Sequence, residues 1–231
     1  MSAAAHFPSK RALASWSGGK DSCLAVWRAA SLGLRVERLL TALDETGERA
    51  RSHGVPPTLL RAQARAMGVE IDFLQASWTD YEARFVAALQ WARSAGIAEA
   101  VFGDIDLQAH RDWEEKVCAQ AGLAAHLPLW NEDRLGLVHE FWAAGFKAVV
   151  VCVDGRFLDA GYAGRLFDQA YVDSLPASVD ACGENGEFHT FVYDGPSFAQ
   201  PVPWRGAGTR SYVSPPRFGS VQYHFGVIEG E

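Results

Sequence analysis

No C-x-x-C pair occurs in the 231 residues: Cys23, Cys118, Cys152 and Cys182 stand far apart. That spacing offers neither a zinc ribbon nor a redox dithiol, and it reads as four reduced, mostly buried thiols of a cytoplasmic protein. No apolar run approaches the roughly 20 residues of a spanning helix, so no membrane association is expected. Residues 1–8 lack the basic start and apolar stretch of a secretory leader. Positive charge is in deficit, with 21 Lys and Arg against 28 Asp and Glu, a net of −7. Such a balance argues against binding nucleic acid through counterion release. Lysine is scarce: 4 of the 21 basic residues are Lys and 17 are Arg, and with abundant Ala this suggests a GC-rich, bacterial source.

What is present describes an ordinary globular chain, 48% hydrophobic and 21% charged, with neither internal repeats nor low-complexity tracts. At about 150 residues per domain, the length falls between one domain and two. Apolar runs at 11–16, 36–43, 69–74 and 100–102 predict strands. Between them, Cys23/Trp27/Ala30, Leu60/Ala64/Met67, Tyr81/Phe85/Ala88/Ala92 and Trp113/Val117/Ala121 keep helical spacing. Pro56 or Pro57 suits a first helical turn, and Gly68 and Gly122 suit helix ends. This β-α alternation predicts a mostly parallel sheet with helices on both faces. One more helix, through Leu135, Val138 and Trp142, precedes a nearly continuous apolar strand at 146–153, expected to be central. Beyond it the alternation fades. The reading is an α/β domain over 1–131 and a smaller α+β domain over 132–231. From Ser197 onward, Pro201, Pro203, Pro215 and Pro216 make long elements improbable, apart from a closing strand at 221–227. The aromatic tail, with Trp204, Tyr212 and Tyr223, suits core by default, and also a homodimer surface or a substrate lid.

Between the first strand and the first helix stands Ser17-Gly18-Gly19-Lys20-Asp21-Ser22. Glycines admit an anion close to the backbone N–H groups, and a helix start adds unpaired donors and partial positive charge. Lys20 adds a full charge, and Ser17 and Ser22 add hydroxyls. A Walker A loop would need glycine at position 14, where Ala14 stands, and Ser or Thr after Lys20, where Asp21 stands. Asp21 suits either an Mg²⁺ ligand or a loop brace. Ligands of open α/β sheets lie beyond the carboxyl ends of the strands. Three further positions are therefore candidates: Leu43, with Asp44, to frame an adenine through backbone groups, Gly103-Asp104 after the fourth strand, and the loop residue His53. Asp104 is equally suited to a helix cap, and His53 to an exposed loop.

A second unusual segment is Cys182-Gly183-Glu184-Asn185-Gly186-Glu187-Phe188-His189-Thr190. Asn185-Gly186 signals a turn. In a strand beyond it, Glu187 and His189 would share a face, with Glu184 pointing to the same space and Phe188 and Phe191 packing behind. Two carboxylates and an imidazole can orient an amine, relay a proton or bind Mg²⁺; spacing alone favours a hairpin with solvated charges.

The first segment resembles the PP-loop, S-G-G-x-D-S, of the ATP pyrophosphatases. Together with Gly183-Glu184-Asn185-Gly186-Glu187-Phe188-His189-Thr190, the chain resembles the diphthine–ammonia ligase (diphthamide synthetase) family, which carries G-E-x-G-E-[FY]-H-T in its second domain. His53-Gly54-Val55-Pro56, Leu59-Leu60, Gln63-Ala64, Met67-Gly68, Gly103-Asp104-Ile105 and Pro128-Leu129-Trp130 add to the resemblance, which runs from about 13 to 195. It implies a HUP-type (Rossmann-like) nucleotide domain followed by a family-specific domain. It also implies ATP and Mg²⁺, adenylation of a carboxylate on a protein side chain or small molecule with release of pyrophosphate, and displacement of AMP by ammonia or an amine. Residues 17–22 would hold the phosphates. Glu184, Asn185, Glu187, His189 and Thr190 would face the substrate, with Lys20, Glu184, Glu187 and His189 catalytic. Two other readings compete: a PP-loop protein acting on another acceptor (tRNA or a metabolite), and a non-catalytic ATP or AMP sensor.

Overall fold

The computed structural model describes residues 9–216 and 219–230; the leader reading of residues 1–8 lies outside them. The chain runs β1 (Lys10–Ser15), α1 (Lys20–Ser31), β2 (Leu34–Leu43), α2 (Pro57–Met67), β3 (Glu70–Gln75), α3 (Tyr81–Ser94), β4 (Glu99–Val101), α4 (Gln108–Ala121), β5 (Ala124–His126), α5 (Arg134–Ala143), β6 (Lys147–Asp154), α6 (Gln169–Asp173), β7 (Phe188–Asp194), β8 (Trp204–Val213) and β9 (Gln222–Gly230), with a short 3-10 turn at Ala160–Tyr162.

The first five strands form one sheet in the order β3-β2-β1-β4-β5, and every adjacent pair is parallel. Two-residue periodicity shows in β1. Ala12 and Ala14 join the core formed with Leu24 of α1 and Leu59 and Leu60 of α2. Leu13 between them faces the opposite layer, with Phe85 and Leu89 of α3 and Val117 of α4. The sheet is thus covered on both faces, as the sequence predicts. Gly68 and Gly122 end α2 and α4 in left-handed conformation, as their positions suggest. Strand order reverses between β1 and β4, and the crevice at such a switch point is where α/β sheets take ligands.

A second, antiparallel sheet follows, ordered β7-β6-β9-β8. The apolar run at 146–153 becomes β6, central and buried from Ala148 to Asp154. One expectation fails here. The closing strand expected at 221–227 is β9, but the proline-rich end also carries a long strand that was not expected, β8. The prolines bracket β8 instead of interrupting it, with Pro203 just before and Pro215 just after. Every β8 residue but the first is exposed, so no apolar alternation marks the strand in the sequence. A single apolar cluster runs from β1, α1 and α2 into Val149, Val151, Phe188 and Phe191, joining the two sheets through packed side chains. All four cysteines are free and buried.

Candidate active site

The loop after β1 turns at Gly18, whose φ of +78° suits glycine and disfavours any residue with a Cβ. Gly19 caps α1, and a Cβ there would lie 2.6 Å from His53 Cε1 and 3.1 Å from the Thr190 carbonyl oxygen. Glycine at 19 is what lets His53 and β7 close over the loop. Ser22 Oγ donates to the Gly19 carbonyl (3.0 Å), and the Gly19 N–H donates to Ser17 Oγ (3.2 Å).

β7 fastens the second segment to this loop. The Val192 N–H donates to the Gly18 carbonyl (2.9 Å), and the Lys20 N–H donates to Thr190 Oγ1 (3.0 Å). Gln63, fully buried on α2, donates through Nε2 to the carbonyls of Gly18 and Val192, while its Oε1 accepts from Trp16 Nε1 (3.0 Å). One amide side chain thus bridges Trp16 just beyond β1, the loop and β7.

Around this junction opens a cleft of about 950 Å³, lined by Ser17, Lys20, Asp21, Ser22, His53, Gly103, Asp104, Glu184, Asn185, His189 and Thr190. Most of the candidate residues therefore meet in one place although more than 160 residues separate the two segments. Lys20 is nearly buried, its side chain 7% exposed, and its Nζ donates to both Asp21 carboxylate oxygens (2.7 and 2.8 Å). Burial opposes its charge, but Asp21, with Cys182 and Glu184 nearby, outweighs that and raises the Lys20 pKa. Asp21 braces the lysine and leaves a third of its own side chain exposed. Burial pushes the neighbouring Cys182 thiol up to about 12, which keeps it protonated.

The His53 and His189 rings lie in contact, tilted by 34° with centroids 4.5 Å apart. His53 Nδ1 lies 3.0 Å from the Thr190 carbonyl, which only accepts, so Nδ1 carries the proton and Nε2 is the free acceptor. Burial holds His53 down to about 4, and burial with the adjacent His53 and Lys20 keeps His189 well below the usual range. Both rings are neutral at physiological pH. Glu184 takes the Ile105 N–H (3.3 Å). Burial first, and then repulsion from Asp21, raise it to about 7.

Two expectations need correction. Glu187 precedes β7, is 1% exposed and does not line the cleft. Its oxygens accept from the Asp180 N–H (3.1 Å), the Asn185 N–H (2.9 Å) and Asn185 Nδ2 (3.0 Å), so it clamps the 180–187 loop instead of facing substrate. Leu43 is buried and bridges Ala50, and the cleft is lined instead by Leu40, Thr41 and Ala42 of β2. Asp104 is not a helix cap: its Oδ1 lies 2.6 Å from His110 Nδ1. Although burial works against its charge, His110 and Glu114 hold Asp104 below the usual carboxylate range.

Glu114 was not foreseen. It lies on the buried face of α4 with Val117, Cys118 and Ala121, and a carboxylate at a core-facing helical position was the available signal. Trp78, Tyr81 and Trp113 form a further aromatic wall, with the Arg51 guanidinium over the Trp78 and Tyr81 rings.

Sequence comparison bears directly on this architecture. The diphthamide synthase N-terminal domain matches residues 10–125, and the diphthamide synthase C-terminal domain matches residues 133–204. The chain belongs to the diphthamide synthase family. Its relatives include a diphthine–ammonia ligase of Danio rerio, 24% identical over 211 residues, covering 80% of this chain and 83% of that protein. The diphthine–ammonia ligase of Schizosaccharomyces pombe is 23% identical over 210 residues, 80% of this chain and 34% of that protein. The chain thus spans about a third of the length of the yeast relative. The human protein of that name is 30% identical over 93 residues, 38% of this chain. In this member of the diphthamide synthase family, the loop of residues 17–22 and the strand following Gly186 form two walls of one cleft.

Proposed function

We propose that the chain is an ATP-dependent amide-forming ligase, with residues 1–131 holding the nucleotide and 132–231 supplying the acceptor wall. When bound with Mg²⁺, ATP supplies an adenylyl group that converts an unreactive carboxylate into one with AMP as leaving group. The observation that carries this reading is the direct hydrogen bonding of Lys20 and Gly18 to Thr190 and Val192. It sets a phosphate-type loop and an acid-base cluster against the same space, which a simple nucleotide sensor would not need.

The residues suit the group. Gly18 and Gly19 keep the loop free of side chains, and the start of α1 brings partial positive charge. Lys20, held by Asp21, offsets charge on departing pyrophosphate. The exposed part of Asp21 is the chain's candidate contact for Mg²⁺, because no three His, Cys, Asp or Glu converge as a metal set among the described residues. When the nitrogen nucleophile forms its bond to the acyl carbon, the carbon–oxygen bond to AMP breaks and AMP leaves with the electron pair. Glu184, near neutrality, is suited to take the proton that the nitrogen loses. Neutral His53 and His189 supply hydrogen-bonding edges without adding charge. The names of the relatives make diphthine the first carboxylate to test and ammonia the first nucleophile.

Incubation with ATP, Mg²⁺, ammonium and diphthine, or a panel of small carboxylic acids, is expected to yield AMP, pyrophosphate and an amide. Release of ADP and phosphate would overturn the reading. Lys20→Ala is expected to weaken ATP binding by more than about tenfold; unchanged ATP affinity would remove the loop from the mechanism.

A further inference from the structure

We propose that Arg134 is a positioning residue: it fastens the loop of residues 180–187 to the segment that follows β4 and thereby sets the Glu184 carboxyl at the wall of the cleft. The inference rests on the reading of Glu184 as the group that takes the nucleophile's proton, and it names what holds that group in place.

Arg134 is the first residue of α5. The partial positive charge at a helix start disfavours a cation there, so the helix itself gives no reason for an arginine. Its guanidinium reaches in two directions. Nε and Nη2 donate to the two Asp106 carboxylate oxygens (2.8 and 2.7 Å), a forked pair with the segment between β4 and α4. Nη1 donates to Asp180 Oδ2 (2.6 Å) and to Asn185 Oδ1 (3.2 Å), on either side of Glu184 in the loop. A lysine ammonium is a single point of charge and cannot reproduce this fork.

Asp180 passes the restraint on to Glu184. Besides Arg134, its oxygens accept the Cys182 N–H (3.0 Å) and the Glu184 N–H (3.2 Å), while its own N–H donates to Glu187 Oε1 (3.1 Å). Asp180, Glu184 and Glu187 place three carboxyl groups in one short loop. Among the described residues, Arg134 is the one lysine or arginine that forms an ion pair with it. The Glu184 side chain has a single hydrogen bond of its own, a long one from the Ile105 N–H (3.3 Å). Its place at the wall therefore depends on the backbone that Asp180 holds, and Asp180 depends on Arg134 for its counter-charge.

A Glu184 released from the wall gains water and retreats from the groups that face it. These are Lys20 and Asp21 of α1, Asp104 after β4, His110 and Glu114 of α4, and Cys182 of its own loop. Burial and Asp21 are the main causes that raise Glu184 to about 7, so its titration reports its position.

The test follows the Glu184 carboxyl carbon by ¹³C NMR in the full chain, assigned by its loss in Glu184→Gln. Wild type is compared with Arg134→Gln and Asp106→Ala. Asp106 is exposed and ion-paired with Arg134, so its variant loosens the arginine without altering the loop and keeps the test decisive if Arg134→Gln does not fold. Both variants are expected to titrate at least about one pH unit below wild type. ATP affinity is expected to stay within about twofold of wild type, while kcat for amide formation falls at least about tenfold. A titration unchanged in Arg134→Gln, or in Asp106→Ala where the first variant does not fold, overturns the proposal. So does a loss of ATP affinity as large as the loss of rate, which marks a general loosening of the fold. Failure of the larger reading looks different. A lowered Glu184 titration in the variants, with no amide formed by wild type from any carboxylate, sinks the ligase and spares the positioning role; amide formation with an unmoved Glu184 does the reverse.

Discussion

Thr190 Oγ1 accepts the backbone N–H of Lys20 at 3.0 Å, a buried hydrogen bond between residues 170 apart in the chain. The same threonine's carbonyl takes the proton of His53 Nδ1. One residue of β7 therefore satisfies the first turn of α1 and orients an imidazole. Thr190→Val keeps the shape and removes the hydroxyl, leaving a buried N–H without a partner. The expected cost is about 1–3 kcal/mol of stability, read by urea denaturation, together with weaker ATP binding as the loop loosens. Thr190→Ser is expected to restore most of both. A valine variant as stable as wild type would mean that the contact is idle.

Gly18 and Gly33 separate conformational strain from steric conflict. Both have positive φ, +78° and +74°. Around Gly33 an added Cβ meets nothing within 4 Å, whereas at Gly18 it would lie 2.6 Å from Gln63 Oε1 and 2.7 Å from Leu60 Cδ2. Gly33→Ala is therefore expected to cost only the left-handed penalty, about 1–2 kcal/mol, with ATP affinity intact. Gly18→Ala adds the displacement of Gln63, which holds the loop to β7, and should lower ATP affinity as well as stability. Thermal unfolding and ATP titration on the two variants make the comparison. Equal losses of affinity would remove the distinction.

Much of this arrangement was legible in the sequence because the residues involved are local and of unusual type. The loop at 17–22 lies between a strand and a helix, and the strand-helix alternation that surrounds it follows from periodicity. The parts that were not legible depend on contacts remote in sequence. Glu187 and His189 looked equivalent at i and i+2, yet β7 starts only at Phe188. Glu187 turns back on Asp180 and Asn185, which periodicity does not register. β8 escaped because its residues are exposed and polar, so nothing alternates. Glu114 shares the apolar face of its helix with Val117 and Ala121, but that spacing does not tell that the carboxyl meets Asp104, which only the fold brings beside it.

Glu184, at about 7, makes the pH dependence of amide formation specific. Below that value it is protonated and unable to accept a proton from the nitrogen; above it, the carboxylate is available. The rate at saturating ATP and fixed free ammonia should rise as pH passes through about 7 and then level off. Glu184→Gln is expected to lower the rate and abolish that limb, whereas an effect on loop structure alone would lower it equally at every pH. A limb that persists in the glutamine variant assigns the ionisation elsewhere.

Glu114 makes an independent prediction about stability, with no ligand added. Its carboxyl has an ordinary pKa near 4.5, raised in the fold to about 11, first by burial and then by its contact with Asp104. Between those values the folded chain keeps the proton and the unfolded chain has lost it, so the folded state binds more protons. Stability must then fall as pH rises across this window: the Glu114 contribution is complete below about 4.5 and is lost progressively toward 11. Glu114→Gln replaces the protonated acid with a neutral group of the same shape that never ionises in the unfolded chain, and so removes this slope. Urea unfolding at pH 5.5, 7 and 8.5 should show the variant gaining on wild type at each step. The gain should approach about 1.4 kcal/mol per pH unit in the middle of the window. Parallel stability curves for the two proteins would mean that Glu114 is ionised in the fold, and that its buried oxygen already has a cationic partner.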